Sequence, residues 1–431
     1  MLYYIENVHG GDIYQSPVKL DFSVNLNPLG TPQRVIDAMK DAVTHASVYP
    51  DPYCRGLVEA ISRTHQIPAS YILCGNGAAE LIYTYCAALH PHSAVMPAPT
   101  FSEYETALKM LFTVPAGNSM IDPSCNSVLN SPGNLVLNPS GNSALDLPGT
   151  FAEAGYAGAY RTESYASVHQ SDDRIDEPCG SGACRSESSA SGISPVKISY
   201  YYLQEKNGFQ LEDGFLTVIR DQRPDVIFLC NPNNPDGRTI PAALLKEILK
   251  LCRKQSIRLL LDECFLDLSD HGTSMIEYLG NYPELFLLRA FTKNYALAGV
   301  RLGYGLCSDP QLLHRMSSLV QPWNVSVVAQ AAGIAALEET GYLDRARALI
   351  RMEKEWLLRQ LEQLGYRVFP SEANYLLFQG PTGLDLMLRR QGIAIRDCSN
   401  YKGLDTGWYR IAVRNHEDNQ QLIRSLEKIS K

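Results

Sequence analysis

The sequence predicts an α/β protein, with a large unit on a mainly parallel central sheet and a smaller α/β unit at the C-terminal end. Two features lead to this. Short apolar runs end repeatedly in glycine-, proline- or acid-containing loops and alternate with segments of helical apolar spacing. Short buried strands alternating with helices imply a mainly parallel sheet whose functional loops lie at the strands' carboxyl ends. From residue 309 the texture changes to long amphipathic helices, which marks the second unit.

Taken in order, residues 31–45 carry Val35, Ile36, Met39 and Val43 at helical spacing, after a Pro32 suited to a first helical turn. An extended arm and one amphipathic helix therefore occupy residues 1–45, packed on the smaller unit. Tyr71-Ile72-Leu73-Cys74 reads as a strand, Gly75-Asn76-Gly77 as a turn and residues 78–89 as a helix. The pattern returns at Ala94-Val95-Met96 before a proline-rich loop, and at residues 226–230 before Asn231-Pro232-Asn233-Asn234-Pro235. It returns again at Leu259-Leu260-Leu261 before Asp262-Glu263. Residues 117–195, rich in Ser, Gly, Asn and Ala, break the rhythm and read as an inserted flexible loop without a legible function. An apolar run at 196–202 and a helix at 214–221 complete the large unit, residues 46–308. In the smaller unit, residues 309–431, a long helix spans 342–364, and Tyr366-Arg367-Val368-Phe369 and Tyr375-Leu376-Leu377-Phe378 read as strands.

At 431 residues and 45% hydrophobic content the chain can bury a large core. A formal net charge of -8 gives no general attraction to nucleic acid or an anionic membrane, so the expected partner is a small molecule. The start lacks a basic stretch followed by an apolar run, and no segment reaches the roughly 18 apolar residues of a membrane span, so the expected location is cytoplasmic. Eleven cysteines show no Cys-x-x-Cys pair; Cys179 and Cys184 come nearest. Reduced, structural thiols are expected, and no metal.

Chemistry concentrates around Lys293, in Leu288-Arg289-Ala290-Phe291-Thr292-Lys293-Asn294-Tyr295, followed by Arg301. A lysine shielded by apolar neighbours has a lowered pKa and serves as the amine of a Schiff base, while the adjacent hydroxyl and the later arginine can bind phosphate. Alone, the segment also reads as an exposed loop. Its companions decide: Asn231-Pro232-Asn233-Asn234-Pro235-Asp236-Gly237 ends one buried strand and Leu261-Asp262-Glu263-Cys264-Phe265 ends the next. In this order the motifs resemble the fold-type-I pyridoxal-phosphate (PLP) aminotransferases, with the aspartate aminotransferase fold, over nearly the whole chain apart from the 117–195 insertion.

The resemblance implies that Lys293 carries the cofactor and that Asp262 keeps the ring nitrogen protonated, so that the ring acts as an electron sink. It implies that Asn234, otherwise a turn-former, donates to the ring oxygen, and that Phe101, otherwise plain core, stacks on the ring. Gly77, Ala78 and Ala79 open a helix whose N–H groups would hold the cofactor phosphate, with Thr292 and Arg301 completing the cup. Tyr49 resembles the tyrosine that reaches the neighbouring subunit's cofactor, implying a homodimer with shared active sites.

Three further segments are similar to the threonine-phosphate decarboxylases of cobalamin biosynthesis, kin of the histidinol-phosphate aminotransferases. They are His9-Gly10-Gly11, Asp21-Phe22-Ser23-Val24-Asn25-Leu26-Asn27-Pro28-Leu29-Gly30, and Ile395-Arg396-Asp397-Cys398-Ser399-Asn400-Tyr401-Lys402-Gly403-Leu404-Asp405 with Trp408-Tyr409-Arg410-Ile411-Ala412-Val413-Arg414. The likeness implies that Arg410 holds a substrate carboxylate, that Arg396 and His9 hold a substrate phosphate, and that Gly10 and Asn25 line the pocket. Seen alone, either arginine would be a solvated surface charge. Phe265 stands where many aminotransferases carry Tyr, which removes a hydrogen bond to the ring oxygen. Asp236 stands where relatives carry Thr. An aminotransferase of the histidinol-phosphate type stays open as the alternative.

Overall fold

In the computed structural model, which describes residues 9–14, 17–111, 195–269 and 271–429, strands and helices alternate through most of the chain. A short β1 (Leu20–Asp21) precedes α1 (Gln33–Val43), α2 (Arg55–His65), β2 (Ile72–Gly75), α3 (Gly77–Leu89), β3 (Ser93–Ala98) and α4 (Glu103–Met110). The insertion read at 117–195 lies, up to residue 194, outside the described residues. Then come β4 (Lys197–Tyr202), α5 (Gly214–Gln222), β5 (Val226–Cys230), α6 (Ala242–Gln255), β6 (Arg258–Asp262), β7 (Leu285–Ala290), a one-turn α7 (Phe291–Asn294) and β8 (Gly303–Leu306). The C-terminal part holds α8 (Pro310–Leu319), α9 (Val327–Leu337), α10 (Tyr342–Gln363), β9 (Arg367–Val368), β10 (Tyr375–Gln379), α11 (Leu384–Arg390), β11 (Ile393–Ala394), β12 (Arg396–Asp397), β13 (Trp408–Ala412) and α12 (His416–Ile429).

The larger sheet has the order β2-β8-β7-β6-β5-β3-β4; the pairs from β4 to β7 are parallel, and β8 runs against both of its neighbours. Every position of β5 is buried. The reason is the two-residue period of a strand. Ile227 and Leu229 join one core with α2, α5 and α6, while Val226, Phe228 and Cys230 join another with α3, α4 and α8. A strand covered on both faces has no solvent side, so its sequence is apolar throughout.

Register then places the polar groups. Cys230 pairs with Asp262, and Asp262 with Leu288. These strands end level, so the 231–237 loop, Asp262 and α7 emerge side by side. At the other end, Asp309 caps α8 by accepting from the Gln311 and Leu312 amides, with Pro310 in the first turn.

The second sheet, β12-β13-β10-β9, is antiparallel. The run Tyr366 to Phe369, expected as a strand, pairs only at Arg367–Val368, opposite Gln379 and Phe378. Tyr71, expected to open a strand, belongs instead to a 3-10 turn, Ala69–Tyr71. The N-terminal arm is sewn to the C-terminal part: β1 runs parallel to β11, and Phe22 O accepts from the Ala412 amide at 2.9 Å. No helix among the described residues is long and apolar enough to cross a membrane.

Candidate active site

A cavity of about 650 Å³ opens at the carboxyl ends of the central strands. Lys293, on α7, reaches into it, its Nζ 5.5 Å from the centroid of the Phe265 ring. Removal from water, aided by the charges of Arg410 and Arg301, lowers its ammonium to about 8 against the opposing pull of Cys264 and Asp262. Phe265 is itself braced edge-on by Tyr375.

Asp262 lies on the cavity wall at the end of β6. Its Oδ2 accepts from Tyr104 OH at 2.8 Å and its Oδ1 from the Cys264 amide at 2.9 Å. Burial nevertheless raises this carboxyl above its ordinary value, outweighing those bonds and the charge of Lys293. A cationic ring nitrogen set against it would supply the counter-charge it lacks.

Asn234 spends its side-chain oxygen on Arg410 Nη1 and on Tyr401 OH, the latter at 3.0 Å, so its other end is an N–H donor. The loop behind it is pinned by Asp236. That fully buried carboxylate accepts from the Arg238 amide at 2.8 Å and from the Asn233 side chain, and burial raises it to about 7. Phe101 and Thr292 also line the cavity.

Ala78 and Ala79 line it at the start of α3, where Asn76 supplies no side-chain cap. Gly77 does not line the cavity; it holds φ +81° behind it, where an added Cβ would meet Arg301 Nη2 at 2.6 Å. Gly303 lets β8 press on the same turn, since a Cβ there would lie 2.5 Å from the Ala78 amide nitrogen. Apart from the Asn76 amide, which donates to Glu80 Oε2 at 2.6 Å, the helix start beside Arg301 carries no side-chain cap, a cradle for a phosphate.

At the opposite end, Arg396 and Arg410 are paired residues of β12 and β13. They are 5% and 6% exposed, and neither has a carboxylate partner among the described residues. Arg410 donates to Ser23 O at 3.0 Å and Arg396 to Asn400 Oδ1 at 2.8 Å; the Arg410 Nε has no partner. Both side-chain polar atoms of Asn25, another lining residue, are buried and unpartnered. Gly10 and His9 of the arm close this end.

Fifteen of the expected site residues therefore gather here, Gly77 from behind the wall. Tyr49 does not: it is 75% exposed, stacked on Trp323 and outside the cavity. Among the lining residues that the sequence did not reveal are Ser23, Tyr83, Glu103 and Tyr401. Three of them sit inside segments that had been singled out, but nothing in their spacing distinguishes a lining side chain from a core one.

The sequence profile of the family described as aminotransferase class I and II matches residues 17–112 and 189–426. The chain is 32% identical to a threonine-phosphate decarboxylase of Salmonella typhimurium over 435 residues, covering 98% of this chain and 96% of that one. It is 24% identical to a histidinol-phosphate aminotransferase of Thermoanaerobacter pseudethanolicus, covering 97% and 95%. The crystal structure of a histidinol-phosphate aminotransferase from Sinorhizobium meliloti, in complex with pyridoxal-5'-phosphate, superposes with a TM-score of 0.68 at 17% identity, covering 96% and 91%. The start of α3, the under-compensated Asp262 and the desolvated Lys293 fit that cofactor's phosphate, ring nitrogen and aldehyde. The chain belongs to the aminotransferase class I and II family, a PLP enzyme of the aspartate aminotransferase fold.

Proposed function

We propose that this enzyme removes carbon dioxide from O-phospho-L-threonine, giving (R)-1-amino-2-propanol phosphate for cobalamin biosynthesis. The observation that carries this reading is the facing pair Arg396 and Arg410, two buried cations on adjacent strands with no carboxylate partner among the described residues. Like charges directly opposite destabilise a sheet, and buried charges are normally compensated. A ligand with two anionic groups, a carboxylate and a phosphate, resolves both conflicts. The relative at 32% identity, a threonine-phosphate decarboxylase, supports the same substrate class.

In this reading Lys293 would carry the cofactor, Asp262 would face its ring nitrogen, Asn234 its ring oxygen and Phe101 its flat face. The amides of Gly77, Ala78 and Ala79, with Thr292 and Arg301, would hold its phosphate. Bound PLP supplies a conjugated ring that takes up the electron pair released at the substrate's α-carbon. Arg410 would grip the substrate carboxylate through its unpartnered Nε and a neighbouring N–H. Arg396 and His9 would hold the phosphate, with Gly10 and Asn25 beside it. Anchored at both ends, the substrate cannot turn about its α-carbon, which fixes the bond to be broken. Lys293, lowered to about 8, would exchange protons readily near neutrality and, once the substrate's amine has displaced it, would return one to the α-carbon after carbon dioxide has left. Phe265 has no hydroxyl for the ring oxygen, which leaves Asn234 as its donor.

The likeness to a histidinol-phosphate aminotransferase over 97% of the chain supports a second reading, in which the same lysine would move the α-proton and no carbon–carbon bond breaks. PLP-loaded protein incubated with O-phospho-L-threonine separates them. Carbon dioxide with an unchanged final cofactor spectrum is expected; conversion of the cofactor to its pyridoxamine form without gas favours the aminotransferase. We also infer a cytoplasmic homodimer. The outward placement of Tyr49 and Trp323 supports it, and light scattering at a monomer's mass would overturn it.

A further inference from the structure

The end of the cavity that meets the substrate's phosphate contains an anion of its own. Glu103 opens α4, and its Oε1 lies 2.6 Å from His9 Nε2. Its other carboxylate oxygen accepts from Tyr83 OH, on α3. The side chain is 12% exposed. Burial alone would raise the Glu103 carboxyl, yet the bonds from His9 and Tyr83 and the charge of His9 hold it below the usual carboxylate range. A carboxylate within a cavity built to receive phosphate should repel it. Two features set His9 against Glu103. The Gly11 amide donates to Ser23 Oγ at 2.8 Å. Gly10 lies so close to Ser23 that a Cβ there would fall 2.2 Å from Ser23 O.

We propose that Glu103 is a positioning residue for phosphate recognition, accepting the Nε2 proton of His9 so that the imidazole stands between carboxylate and phosphate and offers Nδ1–H to the ligand. Tyr83 holds the carboxylate in place from behind. The carboxylate therefore assists binding only while His9 is present. Without the imidazole, Glu103 faces the phosphate directly and opposes it. This inference rests on the reading that a phosphomonoester occupies this end.

The test is a double-mutant cycle in the full-length, PLP-loaded enzyme with His9→Ala, Glu103→Gln and the double variant. KM and kcat are measured for O-phospho-L-threonine, with L-threonine as the phosphate-free control. Glu103→Gln alone should raise KM for the phosphorylated substrate roughly tenfold, the scale of a charge-assisted hydrogen bond, with kcat within about twofold. In the His9→Ala background the same change should leave KM unaltered or lower it, a reversal that a merely structural role would not produce. Tyr83→Phe should give a smaller rise of the same kind. Equal losses in both backgrounds, or an equal loss with L-threonine, would overturn the proposal. A wild-type enzyme indifferent to O-phospho-L-threonine would sink the phosphomonoester reading and this inference with it.

Discussion

The two ends of the cavity are built on opposite plans. At the cofactor end, polar groups sit at the mouths of parallel strands and many are tied to protein partners: Asp262 to Tyr104 and the Cys264 amide, Asn234 to Arg410 and Tyr401. At the substrate end two arginines face each other across an antiparallel pair, and Asn25 is buried without a partner. The first end is largely braced by protein partners, with the buried charge of Asp262 left under-compensated. In the proposed reading the second would be completed by its ligand: the apo state bears the unfavourable charge and a dianionic molecule would remove it.

The largest expected effect tests the cofactor end. Lys293→Ala should reduce turnover at least ~10³-fold, since it removes both the anchor and the proton carrier. Borohydride treatment followed by peptide mass analysis should no longer fix the cofactor to the chain. Asp262→Asn should lower turnover by a similar order, as it exchanges the ring's counter-charge for a neutral amide. Next, Arg396→Gln should raise KM for O-phospho-L-threonine about 10- to 100-fold, as expected on losing charged hydrogen bonds. Its KM for L-threonine should move little.

Stability distinguishes the plans directly. Tyr104→Phe keeps the ring packed on Phe228 but strips Asp262 of a donor, which should cost about 1–3 kcal/mol in urea unfolding. Arg396→Gln should cost less, because it also relieves the facing charges. Equal losses from the two would erase the contrast between a satisfied and an unsatisfied end.

A further effect is in pH. Lys293 is lowered from an ordinary 10.5 to about 8 in the folded protein. Between those values the unfolded chain binds more protons than the folded one. This lysine's contribution therefore makes the apo protein more stable as pH rises, with a slope of at most about 1.4 kcal/mol per pH unit. Below 8 its penalty is fully present. Lys293→Met should remove this rise, so that mutant and wild-type stabilities converge from pH 8 to pH 10 in denaturant titrations.

The difference between the ends also governs what was legible in the chain. Leu259-Leu260-Leu261 followed by Asp262-Glu263 announces a buried strand with a polar mouth, because burial on both faces and a turn leave a local signature. Gly75-Asn76-Gly77 did the same for α3. Arg396 and Arg410 could be picked out only by family likeness, and their pairing was invisible: register between β12 and β13 is set by the whole sheet. Glu103 and Tyr83 look like polar positions of two amphipathic helices until those helices are docked side by side.

Local periodicity and turn chemistry thus suffice for the parallel sheet and the helix that opens after the Gly75–Gly77 turn, each specified within about a dozen residues, whereas the one-turn helix of Lys293 had no such signal. The arm brings His9 to Glu103, 94 positions on, and Ser23 to Arg410, 387 positions on, while the facing arginines meet across separate strands. Such groups have no common signature along the chain, because the forces that collect them are sheet register and the docking of apolar helix faces, and these act only once the chain has closed on itself.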